Sequence, residues 1–295
     1  MKLATFTPAG SPSARPRVGV VVGEAMVDLA AAAPELPSEM TALLAAGPDA
    51  LAAAKRAAQR APRLPLANVR LGAPVRRPPK ILAIGLNYAD HVAESGQETP
   101  RLPLVFNKQS TSVVGPRDPF HMPRVSSALD YEGELGVVIG RRGRHVPRER
   151  AAEVIAGYTV VNDVSVRDWQ LRTPTWTMGK SFDTHCPLGP WIVTGDELPD
   201  PHALDIKTWV NGELRQSSNT KHLIFDCFAL VEHLSTAFTL EPGDVIATGT
   251  PGGVGIAMKP PGLLRVGDVV RIAIEGVGEI ENTVISEPAD TARIG

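Results

Sequence analysis

The chain has 295 residues, and its 30 Lys and Arg against 32 Asp and Glu give a formal net charge of −2. So even a balance supplies no global basic field, which excludes nucleic acid and anionic lipid as expected partners, and the length allows one large domain plus a small one with a core that needs no covalent staples. The two cysteines, Cys186 and Cys227, form neither a CxxC pair nor a zinc-ligand spacing, so a reducing compartment is expected, with both packed as small apolar residues.

The opening stretch, MKLATFTPAGSPSARP, meets Pro and Gly within ten residues and holds no sustained apolar run, so no secretory signal is expected. Two β-like runs follow at residues 17–22 (RVGVVV) and 25–29 (AMVDL), then a helix-like segment over 39–60 with Ser38 as its expected N-cap. Asp49, Lys55, Arg56 and Arg60 interrupt its alanines, which makes it an amphipathic surface helix and not a membrane span. A cytoplasmic protein is the expectation. Residues 61–80 (APRLPLANVRLGAPVRRPPK) are rich in proline, which bars a helix interior and pushes the preceding residue toward extended backbone. The boundary is therefore drawn near residue 75, with 1–75 a small N-terminal α/β cap and linker and 76–295 a catalytic domain.

Beyond that boundary many short apolar runs are bounded by Gly, Pro or Asn, and helical pattern is found chiefly at 148–156 and 224–238. The fold class predicted is α+β, rich in strand. Asn211-Gly212 between alternating residues predicts a two-residue hairpin.

The run DYEGELGVVI, residues 130–139, alternates as a strand should, so Glu132 and Glu134 share one face while Leu135, Val137 and Ile139 take the other. Two like charges side by side repel, and burying each without compensation costs several kcal/mol. Either this is a solvated edge strand or something positive faces it. Asp163, at the end of YTVVN, adds a third carboxylate from a second β element, so the three acids could converge at one sheet edge. Oxygen-only donors suit a hard cation, and three carboxylates leave half an octahedron open, which favours Mg²⁺ or Mn²⁺ over Ca²⁺.

In GLNYADHVAESG, His91 and Glu94 stand three apart. On a helix they share a face, where they form either a surface ion pair or a base whose imidazole the carboxylate orients and makes more basic. The polar residues 93–101 (AESGQETPR) adjoin that pair and are expected to form a mobile lid. In WTMGKSFDTHCPLGPW, the Gly179-Lys180-Ser181 triplet would need a glycine at position 174 to be a P-loop, and that position is Pro174. Lys180 lies instead among apolar and aromatic residues, so it either snorkels to solvent or has an anionic partner. In GDVIATGTPGGVG a strand runs into a Gly-rich turn, which is either a plain tight turn or a cradle of backbone N–H groups for an anion, with the Thr250 hydroxyl as a further donor.

Taken in order with GYTVVNDVSVRDWQ, VNGELRQSSNT and GDVVRIAIEGVGEIEN, these segments resemble the fumarylacetoacetate hydrolase family over nearly all of residues 78–290. The resemblance implies a mixed β-roll with flanking helices, usually dimeric, and a metal that is usually Mg²⁺ and sometimes Mn²⁺ or Ca²⁺. It implies Glu132, Glu134 and Asp163 as metal ligands and His91 with Glu94 as the general-base pair. Lys180 would contact the oxo or enolate oxygen, Arg167 and Gln170 would be substrate contacts, and Thr250 would bind the substrate carboxylate. The family includes acylpyruvate hydrolases, diketo sugar-acid hydrolases, and decarboxylases, tautomerases or isomerases of 2-oxo acids. The expected reaction is hydrolytic C–C cleavage of an acylpyruvate-like acid through a metal-held enolate, with His91 deprotonating the attacking water. The alternative is decarboxylation or keto–enol isomerisation of oxaloacetate or a related unsaturated 2-oxo diacid, and a third, non-enzymatic alternative is a binding protein for 2-oxo acids. A homodimer acting on a small molecule is expected.

Overall fold

A computed structural model of the chain describes residues 1–10 and 14–291. Residues 11–13, inside the stretch read for a leader, and 292–295, the end of the expected catalytic domain, lie outside the described residues. The architecture is mixed α and β, as expected, and is built on two large sheets. The main sheet runs in the order Leu64–Pro65, Ala25–Asp28, Arg17–Val22, Lys2–Pro8, Cys186–Thr194, Ile155–Asn162, Gly133–Ile139, Val245–Ala247, Ile81–Gly85, Leu104–Lys108. Along this path the neighbours are antiparallel except Val245–Ala247 with Ile81–Gly85. A second, five-stranded sheet is ordered Glu213–Asn219, Asp205–Val210, Val269–Ile274, Gly278–Ser286, Phe120–Met122. Among the described residues no helix is long and apolar enough to cross a membrane.

The strand Gly133–Ile139 lies inside the main sheet, and all seven of its residues are buried. Leu135, Val137 and Ile139 pack with Leu230, Val231 and Leu234 of the helix Cys227–Ala237 and with Ile206, Ile272 and Ile280 of the second sheet. On the other face Val138 joins a core containing Leu43, Leu44 and Ala54 from the N-terminal helices. With both faces covered, the solvated edge strand is ruled out. The acids at its start therefore sit in a dry frame.

The main sheet runs across the boundary expected near residue 75, because Lys2 pairs with Val193 and Leu3 with Ile192. The segment expected as one helix over 39–60 is two, Met40–Ala45 and Gly47–Arg60. Gly47 takes φ 82°, a left-handed conformation that interrupts the first helix, and Pro48 then opens the second, where a missing N–H does no harm. The N-cap of the first helix is Glu39 and not Ser38, and its side chain makes no capping bond. The helical pattern at 148–156 is a 3₁₀ helix, Arg148–Glu153, which gives way to the strand Ile155–Asn162. That at 224–238 is the helix Cys227–Ala237, capped by Asp226, which accepts from the amides of Phe228 and Ala229. Asn211 and Gly212, both at positive φ (51° and 82°), make the expected hairpin turn.

Candidate active site

Two local pairings assemble the acids. Leu129–Asp130 pairs antiparallel with Ser165–Val166, and the adjoining strands match Gly133 with Asn162. Between these pairings the Asp163 amide donates to the Glu132 carbonyl at 2.9 Å. Glu132 and Glu134 thus stand at the start of one interior strand and Asp163 just past the end of its neighbour. The acids meet at strand ends and not at the sheet edge expected, since strand pairing continues on both sides of these two strands. All three are buried, and each offers an oxygen within 4.8 Å of the others. A Cβ on Gly133 would stand 2.4 Å from the Thr208 hydroxyl, so any side chain between the two glutamates forces Thr208 to move.

The counter-charges are close. Lys180, 1% exposed, places Nζ 2.7 Å from Glu132 Oε2 and 2.8 Å from Asp163 Oδ2, so it has anionic partners and does not snorkel. Its ammonium also lies 5.0 Å from the centre of the Phe106 ring. Arg167 Nη1 is 2.6 Å from Glu132 Oε1, and its Nε donates to Asp130 Oδ2 at 2.8 Å. Gln170 Oε1 accepts from Arg167 at 2.9 Å, so this guanidinium is already engaged by three protein side chains. Two residues absent from the sequence reading complete the cluster. Lys108 Nζ is 2.7 Å from Asp163 Oδ1, and Asp130 binds Arg167 together with the amides of Gly255 and Ile256, at 2.8 and 3.0 Å. Lys108 ends the apolar run LVFNK, and the reasoning that singled out Lys180 among apolar neighbours applies to it equally.

Burial alone would raise the Glu132 carboxyl, but Lys180 and Arg167 outweigh it and hold its pKa down to about 2. Glu134 goes the other way: burial, then the charges of Asp163 and Glu132, push it well above the usual carboxylate range. For Lys180 burial favours the neutral form, and Asp163 with Glu132 override it, so the ammonium stays charged.

Of the two readings open for the Gly-rich turn, its backbone amides do meet anions, and several of them hold the protein's own carboxylates. Gly249 N–H donates to Glu134 Oε2 at 2.8 Å, Gly252 N–H to Asp90 at 3.4 Å, and Gly253 N–H to both oxygens of Glu94 at 2.9 and 3.0 Å. Gly249 reaches Glu134 from φ 108°, a conformation open to glycine. The Thr250 hydroxyl donates to the Gly133 carbonyl at 3.0 Å and accepts from Gln216 at 2.8 Å. His91 and Glu94 lie on one face of the helix Ala89–Ser95, with Nδ1 3.4 Å from Oε2. That helix ends at Gly96, and residues 96–99 of the stretch expected as a lid are exposed.

The donor set fits a hard divalent cation: it is oxygen-only, convergent and dry, and the bridging Lys180 ammonium shows that cationic charge is accommodated on this face. A family model described as the C-terminal part of fumarylacetoacetate (FAA) hydrolase matches residues 80–285. The chain belongs to the fumarylacetoacetate hydrolase family. It is 45% identical over 290 residues to a mitochondrial oxaloacetate tautomerase of Xenopus laevis, covering 97% of this chain and 90% of that one. Among solved structures it resembles maleylpyruvate hydrolase from Sphingobium sp. SYK-6 in complex with manganese(II) and pyruvate, with a TM-score of 0.81, 34% identity and 98% and 100% of the two chains covered. It also resembles 5-carboxymethyl-2-hydroxymuconate delta-isomerase from Mycobacterium smegmatis, with a TM-score of 0.77, 37% identity and 98% and 100% covered. Family enzymes thus include tautomerases, isomerases and hydrolases of small-molecule 2-oxo acids.

Proposed function

We propose that this chain is a divalent-metal-dependent enzyme that takes a 2-oxo acid through its enolate, and that its reaction is keto–enol interconversion of oxaloacetate or a closely related 2-oxo diacid. The observation that carries the enolate reading is the buried Glu132, Glu134 and Asp163 triad with the Lys180 ammonium against two of its members. The choice of interconversion rests on the tautomerase name of a relative that matches 97% of this chain.

Glu132, Glu134 and Asp163 would hold Mg²⁺ or Mn²⁺, with Ca²⁺ a poorer fit. Such an ion supplies Lewis acidity toward the 2-oxo oxygen. Lys180 borders the same oxygens and would donate to the oxygen that becomes negative in the enolate. His91, with Nδ1 turned to Glu94, would use Nε2 to take a proton from carbon 3 in the enol-forming direction and to give one to carbon 3 in the ketone-forming direction, while the enol oxygen gains or loses its proton with solvent. Arg167 and Gln170 would line the substrate site, and Thr250 would turn its hydroxyl away from the Gly133 carbonyl to receive the substrate carboxylate. Charge supports the assignment. Four buried acids, Asp130, Glu132, Glu134 and Asp163, face three buried bases, Lys108, Arg167 and Lys180. Fully ionised, the cluster carries one negative charge, which a divalent cation converts to one positive, so the loaded site attracts an anionic substrate.

A second reading, hydrolytic C–C cleavage of an acylpyruvate, is favoured by the likeness to maleylpyruvate hydrolase with manganese and pyruvate. It uses the same enolate, with His91 deprotonating a water instead of carbon. The homodimer, the cytoplasmic location and the division near residue 75 are likewise proposed on sequence grounds. The deciding test follows enol oxaloacetate by its ultraviolet absorbance with Mg²⁺ or Mn²⁺, with products identified by NMR. Accelerated, metal-dependent loss of enol with no change in mass is the expected result. Pyruvate plus a second acid from acylpyruvates, with no effect on oxaloacetate, would replace it with hydrolysis.

A further inference from the structure

Lys108 closes the edge strand Leu104–Lys108, and its side chain is 0% exposed. Its ammonium lies 2.7 Å from Asp163 Oδ1, donates to the Val164 carbonyl at 3.2 Å, and donates to the Lys180 carbonyl. The two carbonyls each accept one of its hydrogens, while Asp163 Oδ1 is its ion-pair partner without a hydrogen bond. The carboxylate that the buried Lys108 charge acts on is therefore Asp163.

The same pattern recurs at the other two acids. Glu132 Oε1 is taken by Arg167 at 2.6 Å and by the Ser165 hydroxyl at 3.3 Å, and Glu134 Oε2 by the Gly249 amide at 2.8 Å. Each acid thus has one oxygen engaged by a group other than Lys180. Of the other three, Glu132 Oε2 and Asp163 Oδ2 accept from the Lys180 ammonium at 2.7 and 2.8 Å, the side on which the site already holds a positive charge, and the third is Glu134 Oε1.

We infer that these ties restrict the three acids to single-oxygen donation, and that Lys108, by holding Asp163 Oδ1, is a determinant of which divalent cation the site prefers. The inference rests on the metal reading proposed above. Three single donors suit Mg²⁺ or Mn²⁺, which take six ligands and retain places for water and substrate oxygens. Ca²⁺ takes six to eight oxygens and commonly uses both oxygens of a carboxylate. Lys108 also repels any cation, so its presence beside a ligand weakens binding in general. Its contribution is geometric discrimination.

Lys108→Met removes the tie and the charge together. Loss of charge favours both cations about equally, so the readout is the ratio of the Ca²⁺ and Mn²⁺ dissociation constants, measured by calorimetry on the full chain with each metal alone. Relative to the unmodified protein, the discrimination against Ca²⁺ is expected to fall about tenfold. A folded Lys108→Met protein with an unchanged ratio overturns the inference. Infrared difference spectra of the unmodified protein with and without Ca²⁺ test it without any variant. A wide splitting between the antisymmetric and symmetric carboxylate stretches, the mark of single-oxygen ligation, supports it, and a narrow, bidentate splitting overturns it. Glu132→Gln separates the two levels: if it binds Mn²⁺ as tightly as the unmodified protein, the metal reading fails and takes this inference with it.

Discussion

Glu94 is held at both carboxylate oxygens by the backbone N–H of Gly253, at 2.9 and 3.0 Å, while Oε2 also lies 3.4 Å from His91 Nδ1. The Gly-rich turn thus aims the acid that aims the imidazole, and Tyr131, whose hydroxyl donates to the Gly253 carbonyl at 2.9 Å, braces that turn from below. Glu94→Ala is expected to lower kcat by about 10- to 100-fold, the range of a positioned base losing its orientation. Glu94 is an exposed residue, so its thermal midpoint should stay within about 2 °C. Steady-state kinetics and a melting curve on one preparation check both halves, and unchanged kcat would detach Glu94 from the chemistry.

Neutralising Glu132 and Glu134 should have unequal structural consequences. Glu132 balances Lys180 and Arg167, so Glu132→Gln strands buried cations and should destabilise the metal-free protein by about 3 kcal/mol or more. Glu134 is pushed toward its protonated form by burial and by its acidic neighbours, so Glu134→Gln removes a charge that the metal-free site disfavours and should cost less stability than Glu132→Gln. Denaturant unfolding in the presence of a chelator measures both. Each variant should lose metal-dependent activity.

Gly249 takes φ 108°, and a Cβ there would stand 2.7 Å from the Asn87 Cβ and 3.1 Å from the Ile84 carbonyl. Gly249→Ala is therefore expected to destabilise by about 2 to 4 kcal/mol through backbone strain and overpacking. It also moves the amide that fixes Glu134. Metal affinity measured by calorimetry should fall with stability, and a loss of stability alone would leave that amide without a role.

Burial lowers the pKa of His185 from 6.5 to about 3, and its ring stacks on Phe182 with Nε2 2.7 Å from the His121 carbonyl. A histidine whose folded pKa is depressed contributes stability that is complete above its unfolded value. That contribution is lost as pH falls below about 6.5, at up to about 1.4 kcal/mol per pH unit. Between pH 6.5 and 5 His185 should therefore account for about 2 kcal/mol of lost stability. Unfolding curves for the unmodified protein and for His185→Gln should converge by that amount over this window. Parallel curves would contradict the assignment.

Features set by local periodicity were legible in the chain alone. Alternation put Glu132 and Glu134 on one strand face, an i,i+3 spacing put His91 beside Glu94, and Asn211-Gly212 carried its own turn geometry. These need only a few consecutive residues. Tertiary packing decided what those residues meet: coverage of both faces of Gly133–Ile139 by cores from distant segments, the choice of protein carboxylates for several amides of the Gly-rich turn, and the closure of the charge cluster by Lys108 and Asp130. The physical reason is that a carboxylate's ionisation and orientation depend on which charges lie within a few ångströms and on how little water remains. Both are properties of chain segments brought together from far apart. Sequence therefore named the acids of this site, and only the fold determined which charges and donors each of their oxygens meets.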